Sequence, residues 1–417
     1  VKTVLVIGGG LSGLAAAYAA RRAAPEVNVV LVTGRLGATE FSPGALDDTP
    51  WDELERAEAV LSSVGARVDD APERELEAEL RGLLDALGLF APASTGRPLL
   101  ATSGGVLRRC RVAPKTALDL RTCGDRLVLL PDLDRQGWDA TSLARSLAAD
   151  PRAPALQVAS ALALRFSDEA LIADVDLARR HDDPARVEWL GRELLRAKER
   201  AGRAVAFLLG PWLGVETDAA ERLTSAIGCP VGEIVAAHAG TFGARFRAAR
   251  TLLAEREGID LVDGEATELL HRRDVLEVIV EEAVHPADRV VLATGGVAGG
   301  GVVYRPPLVD ATADGALHIA PSFTLSLRAD VPLGPPHRRA LAGSSEGPVL
   351  DQTAWPSGSN QGALERVGLV VDAGHRVLGS ERVFAAGDLV AERPRTTLVA
   401  AASGLAAGAA AARACSR

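Results

Sequence analysis

The residues best placed to do chemistry in this 417-residue chain are glycines rather than nucleophiles. Gly8, Gly10 and Gly13 follow the apolar run Val4-Leu5-Val6-Ile7 in the spacing Gly-x-Gly-x-x-Gly, and an Ala-rich segment comes next. Gly8 suits a tight turn, Gly10 lets a phosphate approach the backbone, and Gly13 lets a helix pack closely on a strand. A helix beginning there leaves amide hydrogens unpaired, with the positive end of its dipole behind them. That is a binding site for the phosphate of a dinucleotide or a flavin.

Two further segments point the same way. In Ala287–Gly301 a strand ends in Ala293-Thr294-Gly295-Gly296, an Ala-Thr-Gly of the kind flavoproteins with two dinucleotide folds carry where the chain passes the cofactor. In Arg382–Asp388 a short strand runs into Gly387-Asp388, with an Ala-rich helix downstream. An Asp at that point of such folds accepts a hydrogen bond from a ribityl hydroxyl. The helix N-terminus faces the flavin edge where negative charge builds on reduction. The three signals in this order predict a flavoprotein. No His or Cys stands where covalent attachment is expected, so the flavin is expected to be non-covalent.

One expected residue is missing. The second strand of an FAD-binding fold usually ends in an acid that holds the adenosine ribose. Here Asn28–Val32 runs into Thr33-Gly34-Arg35. Thr33 can give one hydrogen bond but cannot act as a bidentate acceptor. Either FAD is bound with a weakened adenosine clamp, or the cofactor is FMN. Arg35 could instead meet a 2′-phosphate, but no second Gly-x-Gly-x-x-Gly offers a separate nicotinamide site.

Catalytic groups are sparse. Ser42 and Gly44 belong to a loop that in this fold returns over the flavin, where Ser42 could donate to the ring. Arg245 lies on a helical pattern and Arg305 in a Gly/Pro-rich loop, and either could bind an anionic substrate. His238 precedes Gly240 near a strand end and is the weak choice for an acid or base. No convincing general base emerges.

The elements that must position these residues form a discontinuous pattern. Residues 4–7 and 28–32 open a parallel sheet, and Trp51–Leu89 is an acidic, helix-patterned stretch broken near Pro72. Between 126 and 256 apolar runs alternate with helical patterns, which reads as a second α/β unit inserted into the first. Short strands resume at 259–262, 275–280 and 289–293. The fold class is therefore α/β, a Rossmann-like FAD/NAD(P)-binding fold at 1–95 plus 258–417 with an inserted α/β domain at 96–257. The segment Leu398–Ala412 reads as a buried helix, too short and too weakly apolar to span a bilayer.

Composition narrows the partners. A net charge of −9 argues against nucleic acid. Four scattered cysteines, Cys110, Cys123, Cys229 and Cys415, show no ligand spacing, so disulfides, zinc or any other metal and an internal iron–sulfur cluster are not expected. Glycines and serines interrupt the first apolar run where a signal peptide would be continuous, so the protein is expected to be cytoplasmic.

The chain also resembles a known family, the B subunit of anaerobic glycerol-3-phosphate dehydrogenase. The segments that carry the resemblance are Gly8-Gly9-Gly10 with Gly13, Phe41-Ser42-Pro43-Gly44-Ala45-Leu46-Asp47, Gly105-Val106-Leu107-Arg108, Gly243-Ala244-Arg245, and Leu292-Ala293 through Gly300-Gly301. Phe41–Asp47, similar to the family's Phe-Ser-x-Gly-x-Leu-Asp, is the most specific. The resemblance implies an FMN-containing subunit that passes electrons from an FAD-bearing catalytic A subunit to an iron–sulfur C subunit and on to menaquinone. It implies a place at the inner face of the membrane through a partner, with no span of its own. The chain departs from the family after its last strand. Leu389–Arg395 stands where relatives are glycine-rich, and Asp388 where some lack the acid. Those departures suit a stand-alone flavin oxidoreductase acting on a small hydroxy or amino substrate.

Overall fold

A computed structural model describes residues 1–47, 70–92, 96–159, 165–236, 240–272, 274–305, 308–310, 317–319, 322–329, 368–391, 393 and 395–416. The chain divides into two compact units. The first comprises Val1–Thr39, Asp48–Ala86 and Thr251–Arg417, and the second Glu40–Asp47 and Leu87–Arg250. Glu40–Asp47 and residues 87–92, placed by the sequence reading with the first unit, belong to the second. There Leu46 bridges Val112, Phe90 bridges Pro114, and the Phe90 and Phe242 rings lie 6.0 Å apart.

In the first unit the central sheet is built from β1 (Thr3–Ile7), β2 (Asn28–Val32), β3 (Asp260–Val262), β7 (Arg289–Leu292) and β8 (Val383–Ala385). Its order is β8-β7-β1-β2-β3 and every pairing is parallel. Strands buried on both faces need unbroken apolar runs, which is what Val4–Ile7 and Val29–Val32 supply. Helix α1 (Leu11–Ala23) leaves the end of β1 at once and packs against α3 (Thr397–Ser416). The two backbones almost touch: a Cβ on Gly404 would fall 2.1 Å from the Ser12 carbonyl oxygen, and one on Gly408 1.9 Å from that of Ala16.

Helix α3 is longer than Leu398–Ala412. By length and composition alone its 20 residues could cross a membrane, and in this fold most of it is buried. A second sheet was only partly legible. β4 (Ala266–Arg272), β5 (Val275–Val280) and β6 (Ala283–Ala287) form an antiparallel meander, with Arg328–Ala329 alongside β4. Of these, the sequence pattern marks only 275–280 as a strand. Only Leu269 of β4 is fully buried, and β6 carries Pro286, which the sheet tolerates because β6 is an edge strand. Helix α2 (Asp70–Leu87) accepts Pro72 in its first turn, where no N–H partner is needed, rather than breaking there. Residues 51–69 of that stretch lie outside the described residues.

The second unit is α/β in its own right. Its parallel sheet runs in the order Leu156–Ala159, Leu127–Pro131, Val205–Leu209, Val231–Glu233, flanked by helices such as Pro184–Ala201 and Ala219–Ile227. The order reverses between the first and third of these strands in the chain, the place where such sheets usually open a ligand crevice. Here that end is filled. Trp138 and Trp212 pack edge to face at 5.1 Å, Arg135 lies over Trp212, and Trp138 Nε1 donates to the Pro131 carbonyl at 2.7 Å.

Candidate functional site

The first unit holds a cleft of about 310 Å³ along the carboxyl ends of its parallel strands. Gly8–Ser12 form its floor, Gly34, Arg35 and Gly264–Ala266 one end, and Thr294, Gly295, Asp388 and Arg395–Thr397 other parts of the wall.

The three motif glycines do different work. Gly8 has φ +127°, and a Cβ there would lie 2.1 Å from the Ala293 carbonyl oxygen at the end of β7. A Cβ on Gly13 would lie 1.7 Å from the Gly8 oxygen, so helix and strand meet backbone to backbone. Gly10, the N-cap of α1, has φ −72° and meets only the Thr39 hydroxyl, at 3.2 Å from its would-be Cβ. Neither backbone angle nor packing requires glycine there. What it keeps open is the cleft.

The helix start is ready for an anion. Leu11 N–H donates to Thr39 Oγ1 at 3.0 Å, and no acidic residue occupies the first turn of α1. Ser12 Oγ is buried beside Gly387 and has no hydrogen-bond partner among the described residues. An orphaned hydroxyl at the N-terminus of a helix, next to a glycine the fold does not need, fits a bound phosphate.

Thr294 and Gly295 line the cleft, Gly295 with φ +86°. Asp388 also lines it, on the 3₁₀ turn Gly387–Leu389. Burial pushes the Asp388 carboxyl above the usual range, and the nearby Arg395 guanidinium partly offsets this. Gly387 sits behind the wall with φ +68°, its N–H donating to Ser403 Oγ at 3.1 Å. The N-terminal turn of α3 contributes Thr397 and Ala400.

Other expected residues fall elsewhere. Thr33 is not in the cleft lining; its N–H donates to the Val262 carbonyl at 2.9 Å. Arg35 lines the cleft in an ion pair with Glu265, so it is not a lone cation awaiting a 2′-phosphate. Ser42 and Gly44 belong to the second unit. There the Ser42 hydroxyl accepts from Gly44 N–H at 3.2 Å, and Gly44 is pressed on the Phe242 ring. That is a side-chain-capped turn.

Arg245 is a structural cation rather than a substrate ligand. It forms a bidentate pair with Glu233 at 2.7 and 2.8 Å and also donates to the Gly214 and Leu213 carbonyls and to Thr116 Oγ1. Its guanidinium is spent within the core. Arg305 ends the strand Val302–Arg305, and its side chain lies outside the described residues, as does His238. The described cysteines are buried and free, with the Cys110 thiol pushed up to about 12 and that of Cys123 to about 11 by burial. Ser12, Thr39, Glu265 and Arg395 were not anticipated. Only Ser12, inside the glycine motif, carried a local signal.

Residues 3–58 match the family described as FAD binding domain. No curated protein is significantly similar in sequence. Among solved structures the chain is similar to 3-ketosteroid Δ1-dehydrogenase from Sterolibacterium denitrificans, at 13% identity, TM-score 0.35 and 100% of both chains. It is also similar to T. acidophilum thioredoxin reductase, at 12% identity, TM-score 0.22 and 99% of both chains. A third is Diels-Alderase PyrE3, at 12% identity and TM-score 0.32, over 97% of this chain and 63% of that one. The first unit is a Rossmann-like α/β fold, and its N-terminal stretch is the part that matches the FAD binding domain.

Proposed function

We propose that this chain is an FAD-dependent oxidoreductase. The observation that carries the reading is the cleft itself. It runs along Gly8–Ser12 and reaches Arg35 and Gly264–Ala266, beyond the strand end where the phosphates belong. An adenosine would fill that end, and FMN has none. FAD is therefore favoured over the FMN that the family resemblance implies.

Bound there, the flavin supplies the two-electron exchange with a substrate or partner. The chain's own residues hold and orient it. The start of α1 and Ser12 take the phosphates, Asp388 accepts from the ribityl chain, and the N-terminus of α3 faces developing negative charge. The ionisable side chains among the described residues of the cleft are Arg35, Glu265, Asp388 and Arg395. None is a histidine or cysteine suited to proton abstraction at neutral pH.

The sequence resemblance supplies the finer proposal. The chain serves as the electron-transferring B subunit of a quinone-linked glycerol-3-phosphate dehydrogenase, between a catalytic A subunit and an iron–sulfur C subunit, at the inner face of the membrane through its partners. A second reading, a stand-alone oxidoreductase for a small hydroxy or amino substrate, is favoured by Asp388 and by Leu389–Arg395.

The test is direct. Acid-precipitated protein should release all its flavin, identified by mass as FAD. Glycerol 3-phosphate should bleach the flavin only when the partner subunits are present. Bleaching of the lone protein by a small hydroxy or amino compound would decide for the second reading, and a purified chain that takes up no flavin would overturn both.

A further inference from the structure

We propose that Glu265 holds the adenosine ribose of the flavin nucleotide, in place of the acid that Thr33 lacks. The inference rests on the FAD reading above and goes beyond it to one residue.

The parallel register brings the two positions together. β2 and β3 pair with Val32 opposite Val262, so the turns that follow them emerge side by side at the carboxyl edge of the sheet. Thr33 is tied to β3 through its backbone. Gly34 is pressed against the neighbouring turn so closely that a Cβ would lie 2.2 Å from the Gly264 oxygen and 2.6 Å from Glu265 N. Gly264 takes φ +138°, a conformation that favours glycine, and thereby turns the chain between β3 and β4. The adjacent turn thus presents a carboxylate beside the place where other folds of this type carry theirs on β2.

The carboxylate is also held. Glu265 N–H donates to Glu281 Oε1 at 2.9 Å, which fixes the backbone, and Arg35 pairs with Glu265 Oε1. A carboxylate has four lone-pair sites, so Oε2 is left to accept from a ribose hydroxyl. Both Arg35 and Glu265 line the cleft. Engaged by Glu265, Arg35 leaves no net positive charge in the pair to draw a 2′-phosphate, which favours an unphosphorylated ribose.

The experiment is a flavin titration of Glu265→Gln and Glu265→Ala apoprotein, read by flavin fluorescence, with FAD, FMN and FAD carrying 2′-deoxyadenosine. FAD affinity should fall about ten- to hundredfold in Glu265→Ala, the loss expected for a hydrogen bond to a charged acceptor, while FMN affinity stays unchanged. Wild-type protein should bind the deoxy analogue more weakly than FAD, and Glu265→Gln should discriminate less between them. Equal losses for FAD and FMN would mark Glu265 as a structural residue of the turn and overturn the proposal. Undiminished FAD affinity would overturn it while leaving the FAD reading intact. Failure of the wild-type chain to bind FAD at all would remove both.

Discussion

Two neighbouring glycines should respond in opposite ways to the same added methyl group. In Gly13→Ala the new Cβ would lie 1.7 Å from the Gly8 oxygen, whereas real Cβ atoms stay at least 3.0 Å away, so α1 must shift by about 1.3 Å. That helix is buried from Leu14 to Ala20 and meets α3 at the glycine contacts of Gly404 and Gly408, so it has nowhere to go. Backbone overpacking of this kind should cost about 3 kcal/mol, a large part of a typical domain's stability. In Gly10→Ala the nearest atom is the Thr39 hydroxyl at 3.2 Å, which can yield, and the φ of −72° suits alanine. Replacing an N-cap glycine by alanine costs at most about 1 kcal/mol. The methyl group does, however, enter the space of the phosphates. Losing one charge-assisted hydrogen bond there should cost about 1.5–3 kcal/mol, roughly ten- to a hundredfold in flavin affinity. Urea melts of the flavin-free proteins and fluorescence titrations of each variant measure the two effects separately. A Gly10→Ala protein with wild-type affinity, or a Gly13→Ala protein with wild-type stability, would refute the division of labour within the motif.

Three other perturbations act on buried ionisable groups. Burial raises the Asp388 carboxyl above 3.8, so flavin-free protein should lose stability as pH rises through that raised value. Asp388→Asn should flatten this slope in urea melts while weakening flavin binding; a variant with an unaltered slope would contradict the burial argument. His181, its Nδ1 2.8 Å from the Trp212 carbonyl oxygen, is pushed down to about 4 chiefly by burial. Its contribution is present above the ordinary value of 6.5 and is lost as pH falls toward 4, about 3 kcal/mol in all; an imidazole that titrates above 6 by NMR would exclude this. Arg245→Met strands Glu233 in the core and should destabilise the protein by about 3–5 kcal/mol, with much of the loss recovered by adding Glu233→Leu. Flavin affinity should hold, and its selective loss in a stably folded variant would return Arg245 to the site.

Local pattern was enough for the heart of this protein. Val4–Ile7 ending in Gly8-x-Gly10-x-x-Gly13 determines a strand, a turn and a helix start within a dozen residues, because backbone preference and burial act over that range. The strand before Thr294 and Gly295 and the short strand before Asp388 were legible for the same reason, and all three cofactor signals meet in one cleft. The tertiary structure decided which side chains are already engaged. Arg245 has the composition of an anion site, and only the approach of Glu233, Thr116 and the Gly214 carbonyl shows that its guanidinium is consumed in the core. The Ser42 hydroxyl, a candidate donor to the flavin ring, accepts from Gly44 N–H in its own turn. The acid missing after β2 cannot be replaced by anything nearby in sequence. Glu265 lies more than two hundred residues away and reaches that position only through the parallel register of Val32 with Val262. Strand register and helix approach are long-range choices set by packing of the whole unit, and no short window of sequence contains them.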